Sequence, residues 1–207
     1  MDYNKIRAPF LSGETIRKKA DLFRQRYWDN SVPVEIEEII ELKLRLQIVS
    51  IPELQRLCDT DALITSNWSL VYVDNGKYLD DRYKNRLRFS FAHEIGHFIL
   101  HKDIYNNFKI KSLEDFYKMI EQISQEQYSY FETQANKFAN YLLIPRERLI
   151  AEKNKLIKIK DGLKETIDSR KTDKKTVDSY MANPMAKIFG VSEEAAEIAL
   201  NDINGAQ

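Results

Sequence analysis

Residues 89–101 read Phe-Ser-Phe-Ala-His-Glu-Ile-Gly-His-Phe-Ile-Leu-His and contain the spacing His-Glu-x-x-His. Apolar residues recur around this spacing at helical intervals, which predicts an amphipathic helix over about residues 82–101. Side chains four apart lie on one face of a helix, so His93 and His97 can direct their imidazoles at one point. A tetrahedral zinc ion requires this arrangement from two of its ligands. Glu94 stands beside that point, where it can accept a proton from a water on the metal.

A histidine pair at this spacing can also belong to a solvated helix face. The metal site is favoured because the helix is strongly apolar and the three histidines of the chain all lie between residues 93 and 101. His101 lies about 12 Å along the helix axis from His93, so a third ligand must come from another segment. His101 could support a metal ligand or end the helix as a cation, and we favour the second role. Gly96 costs about 1 kcal/mol in a helix relative to alanine, which predicts that another segment packs closely there.

A second helix, predicted over residues 125–143, supplies the missing ligand. Its apolar residues form one stripe that faces the core, and it ends before a proline. Glu132 and Asn136 are four apart and share a face of this helix. The small side chains of Ala135 and Ala139 let that side of the helix pack closely against the first helix. We assign Glu132 as the third zinc ligand and Asn136 as the acceptor of a histidine N–H. Two histidines and a carboxylate also accept Mn²⁺ or Fe²⁺, so these metals stay open.

The remaining pattern predicts an α+β fold, mostly helical, with a small three-stranded antiparallel or mixed sheet beside the motif helix. Ser12 caps a helix over residues 13–28, and a second helix runs from the Ser-Val-Pro at 31–33 to residue 41. Strands are predicted at 42–51, 61–66 and 68–73, and Ser112 caps a helix over 113–123. The third strand, with Trp68, Leu70 and Tyr72, is expected to be an edge that pairs with an extended substrate.

Composition excludes several classes of protein. Lysine plus arginine equals aspartate plus glutamate at 32 each, which gives no basic field for nucleic acid. The single cysteine, Cys58, excludes an internal disulfide framework. No secretory or membrane-spanning segment is visible, so the protein is expected to be cytoplasmic and away from membranes.

The C-terminal region is charged and helical in pattern. Residues 146–180 are expected to form a solvated helical segment. Residues 183–200 have the rhythm of a helix-turn-helix, in which Pro184 starts one helix, Gly190 ends it and Ser192 caps the next. The second helix carries mostly acids, which repel phosphate, so this region is expected to pack or dock without binding DNA directly.

Three separated stretches, residues 88–101, 132–139 and 142–145, resemble the ImmA/IrrE family of metallopeptidases in order and spacing. The likeness extends over about residues 10–150. It implies a zincin-like domain at 1–150 with a glutamate as third ligand, followed by a helical C-terminal extension at 151–207 that packs on it. Gln134 stands where many relatives have glutamate and is expected to point away from the metal.

The resemblance also implies a substrate, a helix-turn-helix transcriptional repressor whose cleavage switches genes on. Two other functions stay open: a non-catalytic, zinc-organised module that binds and displaces a repressor, and an antitoxin-type regulator. The presence of Glu94 favours the peptidase, because a binding module does not need it. Tyr128, Tyr130 and Arg148 are candidate donors to the transition state, and the sequence does not choose among them.

Overall fold

The structure is a computed structural model that describes residues 3–164 and 174–205. The predicted fold class is confirmed, because the described chain is mostly helical with a small three-stranded mixed sheet. The helices α1 to α11 span Gly13–Tyr27, Ile36–Glu38, Leu54–Cys58, Asn75–Tyr78, Lys84–Leu100, Lys102–Phe108, Leu113–Gln122, Gln125–Leu143, Arg146–Lys164, Lys174–Phe189 and Glu193–Gly205. The strands β1, β2 and β3 span Gln47–Ile51, Ala62–Ile64 and Leu70–Asp74. No helix in these described ranges is both long and apolar enough to cross a membrane.

Helices α1 and α7 begin at the predicted caps. The Ser12 hydroxyl accepts a hydrogen bond from the Thr15 N–H at 3.2 Å. Ser112 and Asp115 form a reciprocal capping box at the start of α7. Both caps satisfy backbone N–H groups that lack a partner within their helix, which is why the helix starts were readable from the sequence. Helix α6, which follows the motif helix directly, was not predicted.

The region between α1 and β1 differs from the prediction. Helix α2 begins at Ile36 and not at Pro33, and a π-helical turn at Ile39–Lys43 follows it. The strand predicted from residue 42 therefore does not begin there. The Leu42 side chain is 67% exposed, and β1 begins only at Gln47. The helical spacing wins because it buries Ile36 and its neighbours Ile39 and Ile40 completely, whereas an extended chain would not.

The sheet has the order β1-β3-β2, with β3 in the centre. Strand β1 pairs with β3 in parallel, and β2 pairs with β3 in the antiparallel direction. The prediction that Trp68, Leu70 and Tyr72 form a free edge is therefore wrong. Tyr72 pairs with both neighbouring strands, and Leu70 pairs with β1 and accepts the Thr65 N–H on its other side. Trp68 precedes the strand in a left-handed turn with φ of 57°. Order along the chain does not fix order in space, because β1 reaches β3 by crossing over through α3 and β2.

Helices α5 and α8 pack against each other at the motif glycine. A Cβ placed on Gly96 would lie 3.0 Å from the Ala135 Cα and 3.1 Å from its carbonyl oxygen. This confirms the close packing predicted for Gly96. Phe91 and Ile95 on α5 and Phe138 on α8 are fully buried around this contact.

The described chain forms two compact units. The first comprises the residues up to Asn30 together with Glu35–Leu142, and the second comprises Ser31–Val34 and the chain from Leu143. The functional residues predicted above, apart from Arg148, lie in the first unit. The predicted division at residue 150, with a packed C-terminal extension, stays a prediction.

The second unit contains α9, α10 and α11. Gly190 ends α10 with φ of 62°, and the Ser192 hydroxyl accepts the Ala195 N–H at 3.1 Å, as predicted. Pro184 lies inside α10 and does not start it, because buried Met181, Met185 and Phe189 continue the helical stripe on both sides. The charge-rich segment is helical in α9, and its residues 165–173 lie outside the described residues.

Candidate active site

The contact between α5 and α8 brings three side chains to one point. The Nε2 atoms of His93 and His97 are 3.0 Å apart. They lie 3.3 Å and 3.4 Å from the two carboxylate oxygens of Glu132. Within the described part of the chain, these three residues are the His, Cys, Asp and Glu side chains grouped closely enough to hold a metal ion.

The geometry of this cluster fits a zinc ion. Zinc–nitrogen and zinc–oxygen distances near 2.0–2.1 Å place tetrahedral ligand atoms about 3.3 Å apart. The three observed separations, from 3.0 to 3.4 Å, match that spacing. Two imidazoles and one carboxylate are also a donor set that zinc accepts while keeping a fourth position open.

Glu132 and Asn136 act on His93 from one face of α8. The Asn136 Oδ1 lies 2.8 Å from the His93 Nδ1, and because an amide oxygen only accepts, Nδ1 carries the proton. The Nε2 atom is then the ring nitrogen that faces the cluster and is available to a metal. Burial alone would lower the pKa of His93, but Glu132 raises it to about 9. Burial would likewise raise the pKa of Glu132, and hydrogen bonds from the two histidines hold it well below its usual range.

Glu94 is buried next to the cluster and is held by strand β2. Its Oε2 accepts a hydrogen bond from the Ile64 backbone N–H at 2.7 Å. The register of β2 explains this contact. The backbones of Asp61 and Thr65 form hydrogen bonds with β3. The backbone N–H of the residue between them in the alternation, Ile64, therefore points away from β3 and is free to bond to Glu94. Burial raises the pKa of Glu94, and His93 and His97 oppose the rise.

Most of the site lies in a region that matches a known peptidase family. The Peptidase_M78 model, described as the IrrE N-terminal-like domain, matches residues 80–201. This range covers more than half of the chain and includes both helices of the cluster. The chain belongs to the ImmA/IrrE family of metallopeptidases. A comparison with curated proteins finds no match. Membership of this family implies a metal, typically zinc.

In this metallopeptidase the cluster opens on a small cavity of about 30 Å³. By this measure a water needs roughly 10–15 Å³, so there is room for one or two waters beside Glu94. The cavity is lined by the metal cluster and Glu94, by Thr60, Ala62 and Leu63 in and before β2, and by side chains of α6, α7, α8 and the residue after α7: Tyr105, Phe108, Phe116, Met119, Ile123, Tyr128 and Phe131. The part played by β2 was not predictable from the sequence, because it depends on the order of the strands in the sheet.

The tyrosines near the cavity differ in position. Tyr128 lines it, and burial, followed by the charges of Glu132 and Glu94, raises the pKa of its phenol. Tyr105, which the sequence did not single out, lines the cavity and stacks on His97 with ring centroids 5.3 Å apart. Tyr130 is half exposed and does not line the cavity, and Arg148 pairs with Glu152 in α9. Among the three donors considered, the structure places Tyr128 at the cavity.

His101 and Gln134 are connected to the cluster. The His101 Nδ1 lies 3.0 Å from the His97 Nδ1, and its Nε2 lies 3.0 Å from the Gln134 Oε1. The favoured interpretation of His101 as a helix-end cation is wrong, since its ring is only 1% exposed and burial lowers its pKa to about 3. Gln134 was expected to point away from the metal; it is not part of the metal cluster, but it bonds to His101, the residue that contacts His97.

Proposed function

We propose that this chain is a zinc-dependent endopeptidase of narrow specificity. His93, His97 and Glu132 hold the zinc, and Glu94 is the general base. The proposal rests on one observation: a buried carboxylate, oriented by the Ile64 N–H, lies beside a three-residue metal cluster at a cavity sized for water. A binding module would need the cluster but would gain nothing from a buried acid at this position.

The residues of the chain account for the proton transfers of peptide hydrolysis. When bound, zinc supplies a Lewis acid that polarises a carbonyl and lowers the pKa of water. Glu94 accepts a proton from the attacking water and passes it to the leaving amine. The raised pKa of Glu94 favours this second transfer, because the group holds the proton more readily than an exposed glutamate. The phenol of Tyr128, kept protonated, donates a hydrogen bond to the oxygen on which negative charge develops.

Strand β2 is the sheet edge beside the motif helix. Strand β3 is paired on both sides, so an extended substrate adds to the side of β2 that faces away from β3. That side includes the backbone of Ala62 and reaches Glu94 through Ile64. A substrate strand there would lie next to the metal cluster.

The substrate that we propose is a DNA-binding transcriptional repressor, cleaved in the cytoplasm to derepress genes. The likeness to the ImmA/IrrE family supports this choice. The chain acts on the repressor protein and not directly on nucleic acid, in keeping with its balanced charge.

Incubation of the zinc-loaded chain with the repressor encoded beside its gene, followed by mass mapping of fragments, tests the proposal. The wild type should cut the repressor at one site. The matched variant Glu94→Gln should bind zinc equally well and cut about 10²–10⁴ times more slowly. Equal cleavage by the two proteins would remove Glu94 from the mechanism, and an intact repressor with the wild type would exclude this substrate.

One observation favours a second function. A cavity of about 30 Å³ has room for water but not for a peptide segment, so cleavage requires the site to open. A non-catalytic module that binds and displaces a repressor needs no such opening. The same Glu94→Gln variant separates the two functions in cells. Derepression that survives the substitution would support displacement, and derepression that is lost while zinc binding persists would support cleavage.

A further inference from the structure

A line of three hydrogen bonds connects the candidate ligand His97 to the N-terminal segment. The His97 Nδ1 lies 3.0 Å from the His101 Nδ1, and the His101 Nε2 lies 3.0 Å from the Gln134 Oε1. The Gln134 Nε2 donates to the Pro9 carbonyl at 2.7 Å. His101 and Gln134 are both buried, so these contacts are shielded from competing water.

The direction of every bond in this line follows from its last member. The Pro9 carbonyl can only accept, so the Gln134 amide nitrogen faces it and the amide oxygen faces His101. That oxygen accepts, so the proton of the His101 ring is on Nε2. The His101 Nδ1 is then an acceptor, and the proton of the His97 ring is on Nδ1. The Nε2 of His97 is left with its lone pair directed at the cluster.

We propose that His101 and Gln134 are positioning residues that fix the tautomer and ring orientation of His97 for metal binding. The inference rests on the proposed role of His97 as a ligand. It gives His97 the support that His93 receives directly from Asn136. The His97 Nδ1 is connected to α8 through a second imidazole, that of His101.

The surroundings hold the line in place. The edge of Phe131 meets the His101 ring at an interplanar angle of 88°, and Tyr105 stacks on His97. The segment that carries Pro9 is attached to α8 a second time, because the Ala8 N–H donates to the Gln127 Oε1 at 2.7 Å. The segment that carries the Pro9 carbonyl is therefore bonded to α8 at two neighbouring residues.

Zinc affinity of full-length variants, measured by competition with a chromophoric chelator, tests the inference. His101→Leu keeps the volume but removes the acceptor, and it should weaken zinc binding by about 10–100-fold. His101→Asn places an amide oxygen near the position of Nδ1 and should recover most of that loss. Gln134→Met should weaken binding less than His101→Leu. Asn140→Leu, which removes a buried amide from the same helix outside the line, should leave the affinity unchanged.

Nitrogen-detected NMR of the zinc-loaded wild type gives a second readout that needs no variant to fold. The chain has only three histidines, so their ring signals can be assigned. His97 should carry its proton on Nδ1, and His101 should be neutral with its proton on Nε2. A His101 ring protonated on Nδ1 would overturn the inference, as would a folded His101→Leu protein with wild-type zinc affinity. A wild type that binds no zinc would instead overturn the proposed metal site itself.

Discussion

At the scale of single residues, Gly96 controls the distance between the two halves of the site. Its hydrogen is the only substituent that fits between α5 and the Ala135 backbone. His93 and His97 lie on one side of this contact, and Glu132 lies on the other. The spacing of the metal cluster therefore depends on a missing side chain.

Gly96→Ala should destabilise the protein, although alanine favours an isolated helix by about 1 kcal/mol. The new methyl group would lie 3.0 Å from the Ala135 Cα, and backbone cannot move away as a flexible side chain can. Overpacking of this kind costs about 1–3 kcal/mol. The free energy of unfolding, measured with denaturant, should decrease. The zinc affinity should also decrease, because α8 carries Glu132 away from the two histidines.

Gly76→Ala is the matched control for this prediction. The nearest atom to its new Cβ would be a carboxylate oxygen of Asp74 at 3.4 Å, an ordinary contact. Its stability should change by less than about 0.5 kcal/mol. A Gly96→Ala protein as stable as this control, with unchanged zinc affinity, would show that the helix contact is not critical.

At the scale of elements, Asp61 attaches the start of β2 to α4 and α5. Its buried carboxylate accepts hydrogen bonds from Lys77 and Arg86. Burial would raise the pKa of Asp61, but the two cations outweigh burial and lower it below its usual value. The strand that positions Glu94 through Ile64 is thereby fixed by the residue that precedes it.

Asp61→Asn should lower the free energy of unfolding by about 2 kcal/mol at pH 7, because hydrogen bonds to a charged group are lost. A carboxyl with a depressed folded pKa stabilises above its unfolded pKa, and this contribution is lost as pH falls through the folded value. The difference between wild type and variant should thus be constant from pH 7 to about pH 4 and shrink below that.

Urea unfolding at several pH values measures this difference. Glu114→Gln, which breaks the exposed pair with Lys118, should change stability by less than about 0.5 kcal/mol at any of them. A gap between wild type and Asp61→Asn that does not depend on pH would show that the Asp61 charge does not stabilise β2.

Helix α7 lies beside β2 at the cavity. Its Phe116 and Met119 line the cavity together with Ala62 and Leu63 of β2, which are almost completely buried. We infer that a substrate strand reaches the edge of β2 only when α7 moves. Movement of such an element can limit the rate of an enzyme.

A reversible link between α7 and α3 tests this movement. The Tyr117 phenol on α7 is within hydrogen-bond reach of the Cys58 thiol on α3. A Tyr117→Cys protein can therefore be joined at these two positions by a short bifunctional disulfide-forming reagent. Cleavage should fall at least about tenfold on linking and recover on reduction, with zinc affinity unchanged.

The wild type, which has Cys58 as its only cysteine, controls for modification without a link. Its cleavage rate should not change with the same reagent. Full activity of the linked Tyr117→Cys protein would mean that substrate enters without displacement of α7.

At the scale of the whole molecule, the fold of the first unit does not depend on a metal for its core. Helices α5 and α8 bury Phe91, Ile95 and Phe138 against each other and their neighbours. Small zinc-organised domains lack such a core and unfold when the metal is removed. The apoprotein should therefore stay folded but lose activity.

Zinc should raise the melting temperature of the wild type by roughly 5–10 °C at a free concentration about 100 times its Kd. Glu132→Ala should abolish the shift, because the cluster loses its third ligand. Glu126→Ala, an exposed glutamate in the first turn of the same helix, should retain it. Calorimetry after chelation measures both, and an equal shift in all three proteins would exclude Glu132 as a ligand.

The sequence by itself determined the features that depend on near neighbours along the chain. The spacing of His93, Glu94 and His97 is a property of one helix, and the same is true of Glu132 and Asn136. The caps at Ser12 and Ser112 and the end of α8 before Pro145 are equally local. Gly96 also indicated that another segment lies close, because a glycine inside a helix otherwise only weakens that helix.

Only the tertiary structure decided the features that join distant segments. The central place of β3, the hold of Ile64 on Glu94 and the place of α7 at the cavity all depend on spatial order, which hydrophobic periodicity does not encode. The contacts of His101 could not be predicted for the same reason. Its partner Gln134 is on another helix, and Gln134 in turn bonds to the Pro9 carbonyl near the N-terminus. A hydrogen-bond donor finds its acceptor in space and not along the chain, so these contacts could not be derived from local spacing.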